Sequence, residues 1–237
     1  MGDLLLKVTD IRELAPNIKM FELVAAGSTE LPRFEAGAHI EVILENGMRK
    51  SYSLANDPAE EGRYVTAVLR EENGAGGSKW MHDNVAVGDE LATTPPTNHF
   101  PLAEDAAKHI LIAGGIGVTP MVAMGHRLKA IGADFVFHYC TKSAEETAFL
   151  EEVKELFGEN VVFHHDGGDI SKGIKLDDEL VRDPARELRN VLVAGAAYGD
   201  QVLRILRVVF EFLPQSVDES IDRSGRRVGV QSPDLVE

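Results

Sequence analysis

The segment His109-Ile-Leu-Ile-Ala-Gly-Gly-Ile-Gly-Val-Thr-Pro-Met121 places an apolar run directly before closely spaced glycines and a proline. The apolar run predicts a buried strand, and the residues from Pro120 onward predict a helix. Glycines between the two let the backbone approach a pyrophosphate, and the start of a helix offers it unpaired amides. The same pattern is also typical of ordinary helix initiation, because Pro120 suits a first helical turn and Thr119 can cap it. The segment alone therefore leaves a packing turn and a dinucleotide site equally open.

The sequence after this segment alternates apolar strands with helical stretches. Including the run at residues 109–113, strands are predicted at 135–140, 161–165 and 190–194, and helices at 120–130, 144–156, 176–181 and 201–212. Strands this apolar, separated by helices, are typical of a parallel sheet buried on both faces. The glycines then lie where such a sheet binds dinucleotides, next to the carboxyl end of a strand.

The first hundred residues have a different rhythm of short β-type runs and turns. These runs cover residues 4–9, 19–25, 39–44, 50–54, 64–70 and 90–94, and their spacing predicts a small antiparallel β-barrel. The change of rhythm falls at residues 101–108. We therefore predict an antiparallel β domain over residues 1–102, an α/β domain over 103–215, and a polar tail over 216–237 that is extended or partly disordered.

Composition excludes several classes of function. The chain has 237 residues, 44% of them hydrophobic, and a formal net charge of −15, which disfavours nucleic acid and anionic membranes as partners. No apolar run reaches the length of a membrane span, and the N-terminus is charged too early for a secretory signal, so we expect a cytoplasmic protein. A single cysteine, Cys140, cannot hold an iron–sulfur cluster or a cysteine-rich zinc site. Any redox centre is expected to be organic or to belong to another protein.

Positive charge is concentrated in the last quarter of the sequence. Two interpretations are open, namely solvated helix faces or a docking patch for an acidic electron-transfer protein. The residues concerned are Arg182, Arg186, Arg189, Arg204, Arg207, Arg223, Arg226 and Arg227.

A second motif, residues 49–58, puts a cation, an aromatic ring and hydroxyls on one predicted strand. Strand alternation places Lys50, Tyr52 and Leu54 on one face, whereas Arg49, Ser51 and Ser53 lie on the other. A third motif, residues 73–83, is a glycine-rich loop that enters a short helix, with Ser78 able to cap it. Such a loop forms an amide nest suited to a phosphate. Each motif is weak alone, but their order along the chain is specific.

These motifs resemble those of the phthalate dioxygenase reductase group, within the ferredoxin–NADP reductase superfamily of flavin reductases. That group carries Arg-x-Tyr-Ser, Gly-Arg-Gly-Gly-Ser and Gly-Gly-Ile-Gly-x-Thr-Pro in this order, and the resemblance covers residues 5–220. It implies FMN, with FAD less favoured, on the β domain, NADH or else NADPH on the α/β domain, and hydride transfer between them. The cofactor-binding residues that it implies are Lys50, Ser51, Tyr52, Ser53, Ala67, Gly76, Gly77, Ser78, Gly114, Gly115, Gly117, Thr119, Pro120, Thr141, Ala194, Gly195 and Glu219.

The sequence departs from the group at four places where the resemblance implies contact with the flavin or the nicotinamide. Lys50 stands where the group has arginine, so a point charge replaces a bidentate fork, and Ala75 stands where relatives have the arginine of the glycine-rich loop. Ala194 replaces a cysteine, which alters positioning and rate but leaves hydride transfer between the cofactors possible. Asp218 and Ile221 stand where aromatic residues lie near the flavin in relatives.

The relatives continue into a ferredoxin domain with four cysteines, which this sequence does not contain. We therefore expect electrons to pass to a separate iron–sulfur protein, or to a Rieske-type or other oxygenase component. Two alternatives stay open: a non-catalytic or regulatory subunit with degenerate cofactor sites, and a reductase of free flavin. We expect a moderate preference for NADH over NADPH, as the resemblance implies and because residues 141–143, Thr-Lys-Ser, contain Lys142 but no arginine clamp for a 2′-phosphate. No motif points to a metal site or to a hydrolase nucleophile.

Overall fold

The computed structural model describes residues 3–28, 30–45, 47–174 and 189–195, the last of these as backbone only. In the first part of the chain, six strands form one antiparallel sheet in the order β4-β3-β6-β1-β2-β5. The strands are β1 Leu4–Ala15, β2 Ile18–Ala25, β3 His39–Ile43, β4 Arg49–Ser53, β5 Tyr64–Leu69 and β6 Glu90–Thr93. Helix α1, Gly77–Asn84, lies between β5 and β6 in sequence. All six predicted strands are present.

The antiparallel sheet is not a closed barrel, which corrects the expectation from sequence. Its edge strands β4 and β5 approach at one end, where Ala55 N donates to Val65 O at 2.8 Å and Thr66 Oγ1 donates to Ser53 O at 2.9 Å. The amide of Val65 is taken by the side chain of Asn56 at 2.9 Å. Because this side chain occupies the place of a ladder partner, the two edges join at one end and do not continue as a ladder.

The second part of the chain forms a parallel sheet in the order β10-β7-β8-β9. Its strands are β7 Lys108–Gly114, β8 Phe135–Thr141, β9 Val161–His165 and β10 Arg189–Gly195, with helices α2 Val118–Ala130 and α3 Leu150–Phe157. The chain leaves β7 toward β8 and β9 on one side, whereas β10 lies on the other side of β7. This reversal of strand order is a topological switch point, and it lies between β7 and β10. The predicted fold class, an antiparallel β unit followed by a parallel α/β unit, is confirmed.

Helix α3 begins later than the sequence predicted, at Leu150 rather than at residue 144. The hydroxyl of Thr147 donates to Ser143 O at 2.7 Å, and Phe149 has a positive φ of 57°. A threonine that bonds to a nearby carbonyl offers the backbone an alternative to the helix, and a left-handed residue stops helical propagation. Residues 144–149 therefore form turns.

The two sheets share a hydrophobic core. One buried cluster joins Met20 and Ala67 of the antiparallel sheet to Met121 and Tyr139 of the parallel one. A second cluster, which includes Leu6 and Ile40, joins strands of the antiparallel sheet to Met81 of helix α1. Burial of this apolar area stabilises the packing of one sheet on the other at about 25 cal/mol per Å² removed from water.

Several predicted features lie outside the described residues. They are the helices at 176–181 and 201–212, the tail at 216–237, Glu219, Asp218, Ile221 and, apart from the backbone of Arg189, the C-terminal arginines.

Candidate functional site

The glycine segment lies at the topological switch point of the parallel sheet. Gly114 ends β7 and pairs in register with Gly195, the last residue of β10, while Ala113 pairs with Ala194. A turn of 3₁₀ helix, Gly115–Gly117, follows and contacts β5 of the antiparallel sheet. The carboxyl ends of β7 and β10 therefore open toward one edge of the antiparallel sheet.

The start of helix α2 presents backbone amides to this opening. Gly117 is the N-cap, and no side chain caps this helix within the described part of the chain. The expectation that Thr119 is the cap is wrong, because its buried hydroxyl donates to Ile116 O at 3.2 Å. Pro120 lies in the first turn, as predicted, where its missing amide costs no hydrogen bond. Anions are stabilised at such a helix start by the amides and the helix dipole.

Strand β4 divides its side chains between two faces as strand parity predicted. Arg49 points away from the opening and pairs with Glu41 at 3.3 Å. Lys50 lies on the opposite face, and its methylene chain covers Gly77 so closely that a Cβ there would lie 2.5 Å from Lys50 Cγ. Tyr52 packs against the core of the antiparallel sheet. The structure thus brings the second and third sequence motifs into direct contact.

Helix α1 begins beside Lys50 with an amide nest. Gly76, the N-cap, has a φ of 92°, a left-handed conformation that favours glycine, and within the described residues no side chain caps the helix. Ser78, which was expected to cap it, does not. Its Oγ instead accepts a hydrogen bond from the amide of Glu71 at 3.1 Å, which holds the start of the glycine-rich loop against the helix.

Ion pairs brace the glycine-rich loop from behind. Arg70 bonds to Glu72 at 2.5 Å and to Asp83, and Lys79 lies 3.7 Å from Glu72 and 3.3 Å from Asp83. Hydrogen bonds to Arg70 hold the pKa of both carboxyl groups below their ordinary values. The groups are exposed, so the pairs contribute mainly by fixing geometry.

Strand β5 offers an unpaired edge next to these groups. Among the described strands it pairs with β2 alone, and on its other edge Val65 is the residue that bonds across to Ala55 and Asn56. Because successive residues of an antiparallel strand point their backbone groups to alternate edges, Ala67 presents its N–H and C=O to the same edge as Val65. Ala67 is buried, and this edge can pair with a planar ligand that carries alternating donors and acceptors.

The carboxyl end of β8 forms a polar corner one strand away from the glycine turn. Thr141 Oγ1 contacts Thr147 Oγ1 at 2.7 Å, His165 Nδ1 at 2.9 Å and Ser143 O at 3.2 Å. Cys140, just before it, is a poor nucleophile because burial raises its pKa to about 12. Among the residues that the structure describes, no group of three or more His, Cys, Asp and Glu side chains could hold a metal ion.

The sequence motifs missed two connections that shape the opening. The buried side chain of Asn56 bonds to the Val65 amide at 2.9 Å and to Arg63 O at 3.3 Å, which fixes the loop between β4 and β5. Its neighbour Asp57 lies 3.7 Å from His126 Nδ1 of helix α2, across the two sheets. An Asn-Asp-Pro sequence signals a turn, but its partners are distant in sequence and no local pattern predicts them.

The other predicted site residues fall into three groups. Glu219 lies outside the described residues, and of Ala194 and Gly195 only the backbone is described. Ser51 is exposed on the outer face with Arg49, and Ser53 contributes its carbonyl to the β4–β5 junction. The remaining predicted residues line the opening or the corner at β8.

The chain is similar in sequence to reductase subunits of oxygenase systems. No family model matches the chain. It is 44% identical over 172 residues to the tert-butanol monooxygenase / tert-amyl alcohol desaturase reductase subunit of Aquincola tertiaricarbonis, a match that covers 72% of this chain and 51% of the relative. It is 43% identical over 173 residues to the phthalate dioxygenase reductase of Burkholderia cepacia, covering 72% and 54% of the two chains. The chain spans about half the length of these curated relatives.

Comparison with solved structures agrees. A phthalate dioxygenase reductase, described as a modular structure for electron transfer from pyridine nucleotides to [2Fe–2S], superimposes with a TM-score of 0.82 and 36% identity. The match covers 91% of this chain and 66% of that one. The FAD/NAD-binding domain of a nitric oxide dioxygenase from Vibrio cholerae shares the fold, with a TM-score of 0.74. No helix in the described part of the chain is long and apolar enough to cross a membrane.

Proposed function

Because the chain belongs to the ferredoxin reductase-like proteins that include phthalate dioxygenase reductase, we propose that it is an NADH-dependent flavoprotein reductase. It would take hydride from NADH onto FMN and pass electrons to an iron–sulfur domain or protein, or to an oxygenase component. One observation carries this proposal: a chain of contacts joins Lys50 to the start of α1, α1 to β5, and β5 to the glycine turn after β7.

The phosphate end of FMN fits beside helix α1. Lys50 supplies a positive charge, and the amides at Gly76, Gly77 and Ser78 supply donors that no side chain of the described residues occupies. Phosphate is stabilised by such a combination of a point charge, backbone amides and the helix dipole. Lysine binds it as a point charge, where an arginine would offer a fork. The fit therefore supports FMN, held less firmly than an arginine would hold it.

The ring of FMN fits the space between β4 and the edge of β5. The N–H and C=O of Ala67 on β5 would match the donors and acceptors of the pyrimidine edge of a flavin, while Tyr52 lies on β4, the edge strand at the other end of the sheet order. When bound, FMN supplies two-electron chemistry toward NADH and one-electron chemistry toward the acceptor. The protein's part is to hold the ring at the switch point and to exclude water from one side of it.

The nucleotide fits the carboxyl ends of the parallel strands. Gly114, Gly115 and Gly117 let the backbone approach the pyrophosphate, with Thr119 and Pro120 forming the first turn behind them. The backbone of Ala194 and Gly195 ends the neighbouring strand β10, in register with Ala113 and Gly114, so Ala194 would meet the nicotinamide end of the nucleotide and could take no part in proton transfer. Thr141, one strand further along, serves the adenosine end.

The names of the relatives support an oxygenase system as the acceptor of the electrons. Their names include a reductase subunit of a monooxygenase and a phthalate dioxygenase reductase. Within the described residues the one cysteine has a raised pKa and stands alone, so the described part holds no thiolate set for a cluster of its own. We therefore assign the next electron carrier to another domain or protein.

The test is flavin content after gel filtration, combined with reduction by NADH. The proposal expects a yellow protein that co-elutes with FMN and reduces ferricyanide with NADH. A protein that loses flavin on the column, and that oxidises NADH only with saturating added FMN as its acceptor, is a free-flavin reductase instead. A protein that binds neither FMN nor NADH is a non-catalytic subunit, and this result refutes the proposal.

A further inference from the structure

The corner at the carboxyl end of β8 is where the choice between NADH and NADPH is made, if the proposed function holds. Gly114, the last residue of β7, pairs in register with Cys140 of β8. Thr141 is the next residue of β8, so it lies beside the start of the glycine turn. In sheets of this kind, the residues at the end of the second strand meet the ribose 2′-hydroxyl of NADH or the 2′-phosphate of NADPH.

A network of hydrogen bonds holds this corner in one conformation. Thr141 O accepts from Asp166 N at 3.2 Å, and Lys142 O accepts from Gly167 N at 2.8 Å, so the loop after β9 closes the edge. On the other side, the amides of Glu146 and Thr147 bond to carbonyls of residues 143 and 144 at 3.2 Å. These bonds fix the backbone from which Lys142 and Glu146 project.

One cation at this corner lies beside a carboxylate. Lys142 Nζ is 3.8 Å from Glu146 Oε2, and both side chains are about half exposed, at 43% and 45%. Such an exposed pair adds little to the stability of the fold, so its charges can be changed without unfolding the chain. Lys142 directly follows Thr141 in the sequence, so it is the described cation that we expect a 2′-phosphate at this corner to meet.

We propose that Glu146 is a specificity-determining residue that disfavours NADPH. Its carboxylate holds the ammonium of Lys142 and cancels the charge that a 2′-phosphate needs. A 2′-hydroxyl carries no charge, so the charges of the pair should have little effect on the affinity for NADH. The proposal rests on the proposed function, and its test uses ligands that need no flavin.

The experiment compares ADP-ribose with 2′-phospho-ADP-ribose by isothermal titration calorimetry on the full chain. The change Glu146→Gln is expected to raise affinity for the 2′-phosphorylated ligand about three- to ten-fold, from the size of a single charge interaction several ångströms away near a surface. Affinity for ADP-ribose is expected to stay within about two-fold, since its 2′-hydroxyl carries no charge. The gain should shrink as ionic strength rises.

A double variant identifies the route of the effect. In a Lys142→Met background, Glu146→Gln is expected to give less than half of its gain, because the lysine that it releases is gone. The control is Glu151→Gln, which removes one charge from a similar exposed pair, Lys154–Glu151 at 2.9 Å on α3, and should leave both affinities unchanged.

The outcomes separate the inference from its premise. An unchanged ratio of the two affinities in Glu146→Gln, or a full gain in the Lys142→Met background, overturns the role of Glu146 while ADP-ribose still binds. A wild-type chain that binds neither ligand overturns the proposed function together with this inference.

Discussion

The contact between Lys50 and Gly77 makes a sharp prediction about flavin binding. Gly77 has no positive φ, so its backbone accepts alanine, but the added Cβ meets Lys50 Cγ at 2.5 Å, Cε at 2.8 Å and Cδ at 3.0 Å. The contacts run along the length of the side chain, so Lys50 must leave its rotamer. Gly77→Ala therefore moves the ammonium away from the amide nest without removing it.

Gly77→Ala should change FMN affinity more than it changes the free energy of unfolding. An alanine in a helix is favoured over glycine by up to about 1 kcal/mol, and a strained lysine rotamer costs about 0.5–1.5 kcal/mol, so the free energy of unfolding should stay within about 1 kcal/mol. A contact to a charged group is worth about 1.5–3 kcal/mol, and partial loss of it should weaken FMN binding by about 1–2 kcal/mol. That change corresponds to a dissociation constant about five- to thirty-fold higher.

The assay is a double-mutant cycle on the dissociation constant of FMN. Lys50→Ala alone should cost about 1–3 kcal/mol of FMN affinity, and Gly77→Ala should add less than about 0.5 kcal/mol in that background, because nothing is left to displace. Riboflavin lacks the phosphate and serves as the matched ligand, with affinity insensitive to either change. Gly27→Ala is the control variant, because a Cβ added at Gly27 would meet no atom of the described residues within 4 Å. Equal effects of Gly77→Ala with and without Lys50, or equal losses for riboflavin, refute the placement of the phosphate.

Three further predictions follow from other features of the structure. Ala75→Arg should tighten FMN binding by about 1 kcal/mol in a salt-dependent way, because it adds a cation beside the amide nest; fluorescence titration at two salt concentrations checks this. His109→Leu should leave stability at pH 7.5 unchanged or raise it by about 1–3 kcal/mol, because within the described residues neither buried ring nitrogen has a hydrogen-bond partner. Burial lowers the pKa of His109 below 6.5, so the unfolded chain takes up the proton first as the pH falls, and the stability of the wild-type chain decreases below about pH 6.5. Urea unfolding at several pH values should show a smaller decrease in the His109→Leu variant. Asn56→Ala should cost about 1–3 kcal/mol of stability, because the buried Val65 amide loses its hydrogen-bond partner, and it should also weaken FMN binding if the flavin lies along this edge of β5 as proposed. Thermal unfolding and titration measure the two effects, and Asn84→Ala, at an exposed asparagine of α1, is the control.

The elements of the fold were predictable because their signals are local. Each strand of the antiparallel sheet carries a β-type run bounded by turn residues, and residues 161–165 match β9 at both ends. Helix α3 was misplaced by six residues because Thr147 and Phe149 settle its start through contacts that a helical pattern does not contain. The expected closure into a barrel was wrong, and where the two edge strands approach, the Val65 amide bonds to the side chain of Asn56, a partner that no strand pattern contains.

The motifs of the candidate site were visible in the sequence, but their contacts were not. Strand parity predicted that Lys50 and Arg49 lie on opposite faces of β4, and Arg49 pairs with Glu41 on the outer face. The caps expected at Ser78 and Thr119 were wrong, because each hydroxyl has a closer backbone partner, Glu71 or Ile116, that the chain supplies only once folded. The pair of Lys142 and Glu146 is visible as a spacing of four residues, but its meaning depends on the register of β7 with β8. The division into two domains at residues 102 and 103 stays a prediction.

The way the two sheets meet constrains how hydride could be passed between bound cofactors. Gly37, with a φ of 93°, lies where a Cβ would be 1.9 Å from Phe100 O and 2.9 Å from Met124 Cε, so the residues before β3, the link between the sheets and α2 touch at one point. Asp57 and His126 add a polar contact at 3.7 Å across the same boundary. Because packed cores deform little, the crevice between β5 and the glycine turn has its width set by this packing. A preformed crevice can orient two reactants without a closing motion at each turnover. A small displacement of one reactant from the other then reduces the rate steeply. A bulkier residue at Gly37 should therefore slow NADH-driven reduction of bound flavin more than it weakens the binding of either cofactor, and stopped-flow reduction compared with the two dissociation constants distinguishes this from a general loss of folding.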